Sequence, residues 1–290
     1  MKTLLICPAI RPSVRLLAEA FSLAQLPVFG QGLVEYWLTH LVCSGVKHVH
    51  LLVHDRPECL RELLGDGARW GLTIEISQEA RELTPAEALL KYEQQRSPAP
   101  LQNGIVLLDH FPGQAQNLLF DSYAGWFSGI RAWMPSALMP DRLGFREQSN
   151  GVWVGLHSRI SPTARINPPC WIGRNVFIGP RAIIGPGAII EDGSFIESDA
   201  EIIEGYLGPD TLVGQCAALR NSIAWGTTLI NWQTGSAVEI RDAFILCALR
   251  RPAPARNTGW LERVAAICSG DKEETDVFLK DLLINKESSS

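Results

Sequence analysis

No stretch of this 290-residue chain approaches the ~20 consecutive apolar residues that a membrane-spanning helix needs. The apolar run nearest the start, at positions 4–8, is too short for the core of a secretory signal, and no small-residue cleavage site follows it. There is no basic surplus: 26 Lys and Arg stand against 31 Asp and Glu, a formal charge of −5. Neutralising a phosphate backbone needs clustered cations, so general nucleic-acid binding is disfavoured. Neither nucleic acid nor a membrane is an expected partner. The seven cysteines, at 7, 43, 59, 170, 216, 247 and 268, are odd in number and include no Cys-x-x-Cys pair. A disulfide framework and a zinc ribbon are both poor readings. The expected compartment is the cytoplasm, with the thiols reduced.

What is present suffices for a core. The chain is 46% hydrophobic and 20% charged, which excludes global disorder. At about 150 residues per domain, the length suggests roughly two domains. Residues 1–110 alternate short apolar runs with amphipathic segments. Strands are expected at 4–7, 49–53, 72–76 and 104–108, and helices at 31–44, 57–64 and 85–94. In the first of these helices Leu33, Val34, Trp37, Leu38, Leu41 and Val42 recur at helical spacing, and Gly45 follows as a stop. This order predicts a parallel sheet with helices on both faces. Residues 111–150 read as a connector with its own helix. Its Tyr123, Trp126, Phe127, Ile130, Trp133 and Met134 share one face, suited to packing one domain on the other or to docking a partner. Residues 249–290 read as a linker with Pro252 and Pro254, then helices at 260–268 and 272–284 and a frayed end.

Residues 151–248 carry the strongest pattern. Val154, Ile160, Ile166, Ile172, Ile178, Ile184, Ile190, Ile196 and Ile202 form a series with a step of six. Small residues recur four places later, at Ser158, Ala164, Ala182, Ala188, Ser194 and Ala200. Gly155, Gly173, Gly179 and Gly185 follow the aliphatic position directly. No α-helix or ordinary strand has a period of six. A prism-shaped solenoid does: one hexapeptide per face, the aliphatic residue pointing to the axis, and the small residue at the corner. About five coils are expected. The series slips once, Leu207 following Ile202 after five residues, so an irregular corner is expected near 204–206. The pattern fades after Leu229, and 238–246 reads as a strand capping the open end.

The hexapeptide series resembles the left-handed β-helix family, which serves both nucleotidyl-sugar pyrophosphorylases and many acyltransferases. In the first half, Leu26-Pro27-Val28-Phe29-Gly30-Gln31-Gly32-Leu33-Val34-Glu35-Tyr36 is similar to the turn and helix of sugar-phosphate nucleotidyltransferases, Leu-Pro-Val-x-Gly-x-Pro-Leu-Ile-x-Tyr. Cys43-Ser44-Gly45-Val46 resembles the Ala-Gly-Val that ends their helix. Gly65-Asp66-Gly67-Ala68-Arg69-Trp70-Gly71-Leu72 is similar to their Gly-Asp-Gly-x-x-Trp-Gly-Val, and Gly104–Asp109 to the strand ending in their metal-binding Gly-Asp. The order of the halves is that of mannose-1-phosphate guanylyltransferases and glucose-1-phosphate nucleotidyltransferases. The resemblance implies an α/β plus β-solenoid chain. A truncated Rossmann-like nucleotidyltransferase domain (1–110) would lead through the helical connector (111–150) to a left-handed parallel β-helix (151–248), then a linker and C-terminal helices (249–290). It implies Mg²⁺-dependent nucleotidyl transfer from a nucleoside triphosphate to a sugar 1-phosphate, in sugar-nucleotide or surface-polysaccharide metabolism. By the same resemblance Pro8, Ala9, Arg11 and Arg15 would lie at the nucleotide and Asp109 at the metal, and the chain would self-associate.

The chain departs from the family at three points. The family's loop after its first strand is glycine-rich and carries an Arg; here Cys7-Pro8-Ala9-Ile10-Arg11-Pro12-Ser13-Val14-Arg15-Leu16 has no glycine and two prolines without N–H donors. Only Arg15-Leu16 matches the family's Arg-Leu. The family's catalytic lysine falls on Leu23. The hexapeptides begin soon after Asp109, so the family's sugar-binding half and second metal Asp have no counterpart. These departures predict weak or absent nucleotidyl transfer, with a regulatory or scaffold subunit of an active paralogue as the alternative.

Several residues admit two readings. Asp109 ends a predicted parallel strand, where ligands of such sheets collect; it reads as a Mg²⁺ or nucleotide ligand, or as a loop or helix-capping residue. Arg11 and Arg15 read as phosphate clamps or as solvated arginines. His48 and His50 share a strand face near His40 and His54, which suggests a metal site or, better, a polar sheet edge. A hexapeptide acyltransferase, the second alternative, needs a His as general base. The histidines lie at 40, 48, 50, 54, 110 and 157, so only His157, at the mouth of the first coil, could serve.

Overall fold

A computed structural model describes residues 2–93, 104–137 and 144–249. The described residues belong to one compact unit. The helices expected at 260–268 and 272–284 lie outside the described residues, as does most of the linker before them.

The first half runs β1 (Lys2–Ile6), a hairpin of β2 (Pro27–Val28) and β3 (Gln31–Gly32), α1 (Leu33–Cys43), β4 (His48–Val53), α2 (Pro57–Leu64), β5 (Thr73–Gln78), α3 (Pro85–Glu93), β6 (Ile105–Leu107) and α4 (Tyr123–Trp133). Strands β5, β4, β1 and β6 lie side by side in that order, all parallel. Alternation along the strands sorts side chains between two layers. Leu5, Val49, Leu51 and Val53 join the core shared with α1, α2 and α4, whereas Leu4, Ile6 and Leu52 meet Ala88 of α3. Both faces are thus covered, as a parallel sheet requires.

One expectation fails here. His48 and His50 do not mark a polar sheet edge, because β4 runs between β1 and β5. His50 is buried, with Nε2 2.8 Å from Ser77 Oγ and its ring edge-on to Tyr92. A hydroxyl on the neighbouring strand lets a histidine occupy an interior position.

The second half coils through three parallel sheets visited in rotation. Val152–Gly155, Cys170–Ile172, Ala188–Ile190, Tyr206–Leu207 and Ser222–Trp225 form the first. Arg159–Ile160, Phe177–Ile178, Phe195–Ile196 and Thr211–Val213 form the second, and Arg165–Ile166, Ile183–Ile184, Glu201–Ile203 and Ala218–Arg220 the third. Ile178 pairs with Ile160 on one side and Ile196 on the other, so each full coil consumes three hexapeptides. Ile172, Ile178, Ile184, Ile190 and Ile196 are fully buried, and the small residues Ala182, Ala188 and Ala200 are buried with them.

The expected slip is present: Ile190 pairs with Leu207, one residue short of a full coil. A second slip was not expected. Leu207 pairs with Ala224, so the corner at Asn221 is shortened like the one at Glu204. The shortened corners face α4 and the segment beyond the coils. The carbonyl of Glu204 accepts from Trp232 Nε1 at 2.8 Å, that of Asn221 from the Trp232 amide at 3.1 Å, and Arg131 of α4 pairs with the Glu204 carboxylate. The capping strand also differs from expectation. Ala237–Glu239 and Leu246–Ala248 are separate antiparallel strands, split by a turn in which Asp242 accepts from the amides of Phe244 and Ile245.

The two halves meet along the first sheet. Its outward residues Trp153, Trp171, Ile189, Tyr206 and Ile223 are buried in the same core as α1 and α4. Trp126 lies edge-on to Tyr206 at 4.7 Å, and Phe127 stacks on Trp232 at 4.8 Å. The aromatic face of α4 is therefore used in packing the α/β half on the coils.

Candidate functional site

Ligands of a parallel sheet gather beyond the carboxyl ends of its strands. Four segments converge there: Cys7–Arg11 after β1, His54 after β4, Glu79–Glu82 after β5, and Asp109–His110 after β6. The loop after β1 has two prolines, so its donors are few. Two of those it retains, the Ala9 amide and the Arg11 guanidinium, are directed at one carboxylate. Glu82 Oε2 accepts from the Ala9 amide at 2.8 Å and from Arg11 Nη1 at 2.5 Å, while Oε1 accepts from Arg11 Nη2 at 2.7 Å. Arg11 is thus clamped, not solvated. Burial pushes the Glu82 carboxyl up, but the hydrogen bonds from Arg11 and Ala9 and the charges of Arg11 and His54 outweigh it and hold it below the ordinary value of 4.5. Arg11 is raised in turn, chiefly by its hydrogen bonds to Glu82, with charge contributions from Glu82, Asp109 and Asp121. The Cys7 thiol is pushed up to about 12 by burial and by the Glu82 charge, which leaves it inert as a nucleophile.

Pro8 and Ala9 follow β1, and the Ala9 N–H faces a side chain of the same protein. Arg15 is exposed on the short 3₁₀ turn Pro12–Ala18 and is not brought into the Glu82 cluster. Leu23 is 1% exposed in the apolar core, so no group there could hold a leaving phosphate. Asp109 is not a helix cap, since Ser122 caps α4 by accepting from the Gly125 amide. Its Oδ1 lies 2.7 Å from His110 Nδ1, and its carbonyl accepts from the Leu119 amide. Mg²⁺ needs an octahedral set of oxygens, with substrate phosphates completing the carboxylates. Asp109 offers one carboxylate already engaged by His110, Glu82 is held by Arg11, and among the described residues no group of three or more His, Cys, Asp or Glu could hold a metal ion. The residues present do not fit a Mg²⁺ site.

The Leu26–Gly32 motif has a different use. Its tip, Phe29-Gly30, has both residues at positive φ, 55° and 70°, the pattern of a two-residue hairpin turn. Left-handed backbone at a non-glycine residue is costly and persists only when its surroundings fix it. Here the β-helix does so. Glu191, fully buried, accepts from the Phe29 amide at 2.5 Å and the Gly30 amide at 2.6 Å. The Phe29 ring packs on Trp171 at 4.8 Å, and Tyr206 Oη donates to the Pro27 carbonyl at 2.7 Å. A cleft of about 290 Å³ lies beside this junction, lined in part by Phe21, Gln31, Glu35, Glu191 and Asp192. Each of its carboxylates already serves an amide: Glu35 that of Gly32, Glu191 those of the tip, and Asp192 that of Arg174.

His157 sits exposed at a corner with φ 64°, and its ring has no hydrogen-bonding partner among the described residues. A general base needs an orienting partner, which the described surroundings do not supply. Neither Glu82 nor Glu191 is legible as a site residue from sequence, because both act on loops far away along the chain. Among the described residues, no helix is long and apolar enough to cross a membrane.

Residues 169–204 match the family model for the bacterial transferase hexapeptide (six repeats), which implies that the three-sheet coil is a left-handed β-helix. The chain is also 28% identical over 102 residues to a glucose-1-phosphate thymidylyltransferase from an Actinoplanes species. That stretch covers 35% of this chain and 34% of the relative, so the likeness spans about a third of either protein. The chain resembles sugar nucleotidyltransferases that carry hexapeptide repeats.

Proposed function

We propose that this chain is a non-catalytic relative of the sugar-phosphate nucleotidyltransferases, a scaffold or regulatory subunit in sugar-nucleotide or polysaccharide metabolism. One observation carries the reading: the Ala9 amide and the Arg11 guanidinium, two donors of the loop after β1, are both taken by Glu82. A phosphate arriving at that loop must displace a charge-paired carboxylate and then find no lysine at position 23. In this reading the first half is a truncated Rossmann-like nucleotidyltransferase domain. Its motif hairpin serves as a dock for the β-helix, and its partner is an active paralogue or further copies of this chain, in the cytoplasm.

The test is turnover. Wild-type protein with Mg²⁺, the common nucleoside triphosphates and a panel of sugar 1-phosphates should release pyrophosphate no faster than a protein-free blank. Release that is lost on Asp109→Ala would overturn the proposal and restore the catalytic reading.

A further inference from the structure

We infer that the cleft beside the Phe29-Gly30 tip is a binding site for a small alkylammonium ligand, held jointly by the motif hairpin and the β-helix. The inference makes no use of the β1 loop and stands or falls apart from the proposed function.

The cleft has two kinds of wall. Phe21, Pro27, Leu63 and Pro209 give it apolar sides around a volume of about 290 Å³. That is at the lower edge of the roughly 300–1,000 Å³ typical of ligand clefts, so the occupant is small. Its polar groups are chiefly acceptors: the carboxylates of Glu35, Glu191 and Asp192 and the carboxamide oxygens of Gln25 and Gln31. Among the described residues, no Lys, Arg or His belongs to this lining.

Acceptor capacity is left over. Asp192 Oδ1 takes the Arg174 amide at 2.6 Å, but Oδ2 accepts no hydrogen bond among the described residues. Gly30 keeps that oxygen open, since a Cβ there would lie only 3.0 Å from it. The Gln31 side chain likewise has no hydrogen-bonding partner among the described residues. Glu35 Oε2 takes the Gly32 amide, and Oε1 meets Arg69 at 3.4 Å, a side chain that is 65% exposed.

Charge sets the class of occupant. The Tyr206 hydroxyl is raised well above its ordinary value by burial and then by the charges of Glu191 and Asp192, so their field is felt across the junction. A phosphate or carboxylate ligand would meet three carboxylates with no cation in the lining to receive it. An ammonium group instead brings three N–H donors and a positive charge to Asp192 Oδ2 and the Gln31 carbonyl, while its alkyl stem lies along the apolar walls. Gln31 belongs to the hairpin and Asp192 to the β-helix, so such a ligand bridges the two halves.

The experiment uses the full chain and n-butylammonium chloride as the probe. The controls are n-butanol, its uncharged match, and sodium chloride at equal ionic strength. Thermal unfolding and calorimetric titration of the wild type should show saturable stabilisation by the amine, about 11-fold in the folding equilibrium at ten times the dissociation constant. Butanol should give none. Asp192→Asn keeps the shape of the side chain and removes its charge, and should weaken amine binding about tenfold or more. Hydrogen exchange at the Phe29 and Gly30 amides should slow on binding, which amine scattered over the surface would not cause. No saturable response of the wild type, an equal response to butanol, or undiminished binding by Asp192→Asn would overturn the inference. If Asp192→Asn does not fold, Gln31→Leu removes the open acceptor of the hairpin and is judged by the same criterion. Pyrophosphate release by the wild type would sink the proposed function while leaving this titration to be judged separately.

Discussion

Two of the carboxylates that accept from backbone N–H groups of the α/β half, Glu191 and Glu82, differ in burial and in origin. Glu191 comes from the β-helix, is fully buried, and takes the amides of Phe29 and Gly30. Glu82 comes from the α/β half itself, is partly exposed, and takes the Ala9 amide with the Arg11 guanidinium. The same acceptor chemistry therefore joins the two halves at one place and closes a loop at the other. A buried acceptor cannot be replaced by water when it is removed, whereas a surface one can.

That contrast can be broken most readily at Glu191. Replacing it with Ala leaves the buried Phe29 amide and the half-buried Gly30 amide without their acceptor, and should cost at least about 1–3 kcal/mol, the range for one unsatisfied buried group. Denaturant unfolding gives the value, and a loss below about 1 kcal/mol would make the two carboxylates alike. Gly30→Ala comes next. Gly30 has φ 70°, and an added Cβ would lie 3.0 Å from Asp192 Oδ2. A loss of about 1–2 kcal/mol is expected, and a neutral result would mean that the tip is not pressed on the β-helix. Glu82→Ala should be milder still, below about 1 kcal/mol at neutral pH, as for ion pairs open to solvent.

The smallest effect sharpens the contrast through pH. The Glu82 carboxyl is held below its ordinary value in the folded protein, so its contribution is present above that value and is lost as pH falls through the lowered one. The difference in melting temperature between wild type and Glu82→Gln should therefore be constant near neutrality and shrink only below about pH 4.5. A difference that instead shrinks on going from pH 6 to 8 would contradict this assignment.

Much of the architecture is legible because it is periodic. The six-residue series places the inward aliphatics, and the short elements of the first half announce the parallel sheet. The second slip was missed because its inward residue is Ala224, too small to stand out in an aliphatic series. The docking face has a signal that can be read only once three faces are known. The residue before the inward position in every third hexapeptide is Trp153, Trp171, Ile189, Tyr206 and Ile223. Glu82 has none: it lies in a polar loop and reaches a loop 71 residues away. Spatial pairing between two irregular segments leaves no spacing to detect.

The most direct test is calorimetric titration of the wild-type chain with nucleoside triphosphates and Mg²⁺. With the β1 loop closed by Glu82, no saturable heat is predicted for any of them. Saturable, Mg²⁺-dependent binding that Arg11→Ala abolishes would contradict the account, because the loop would then be receiving the ligand that Glu82 is held to exclude.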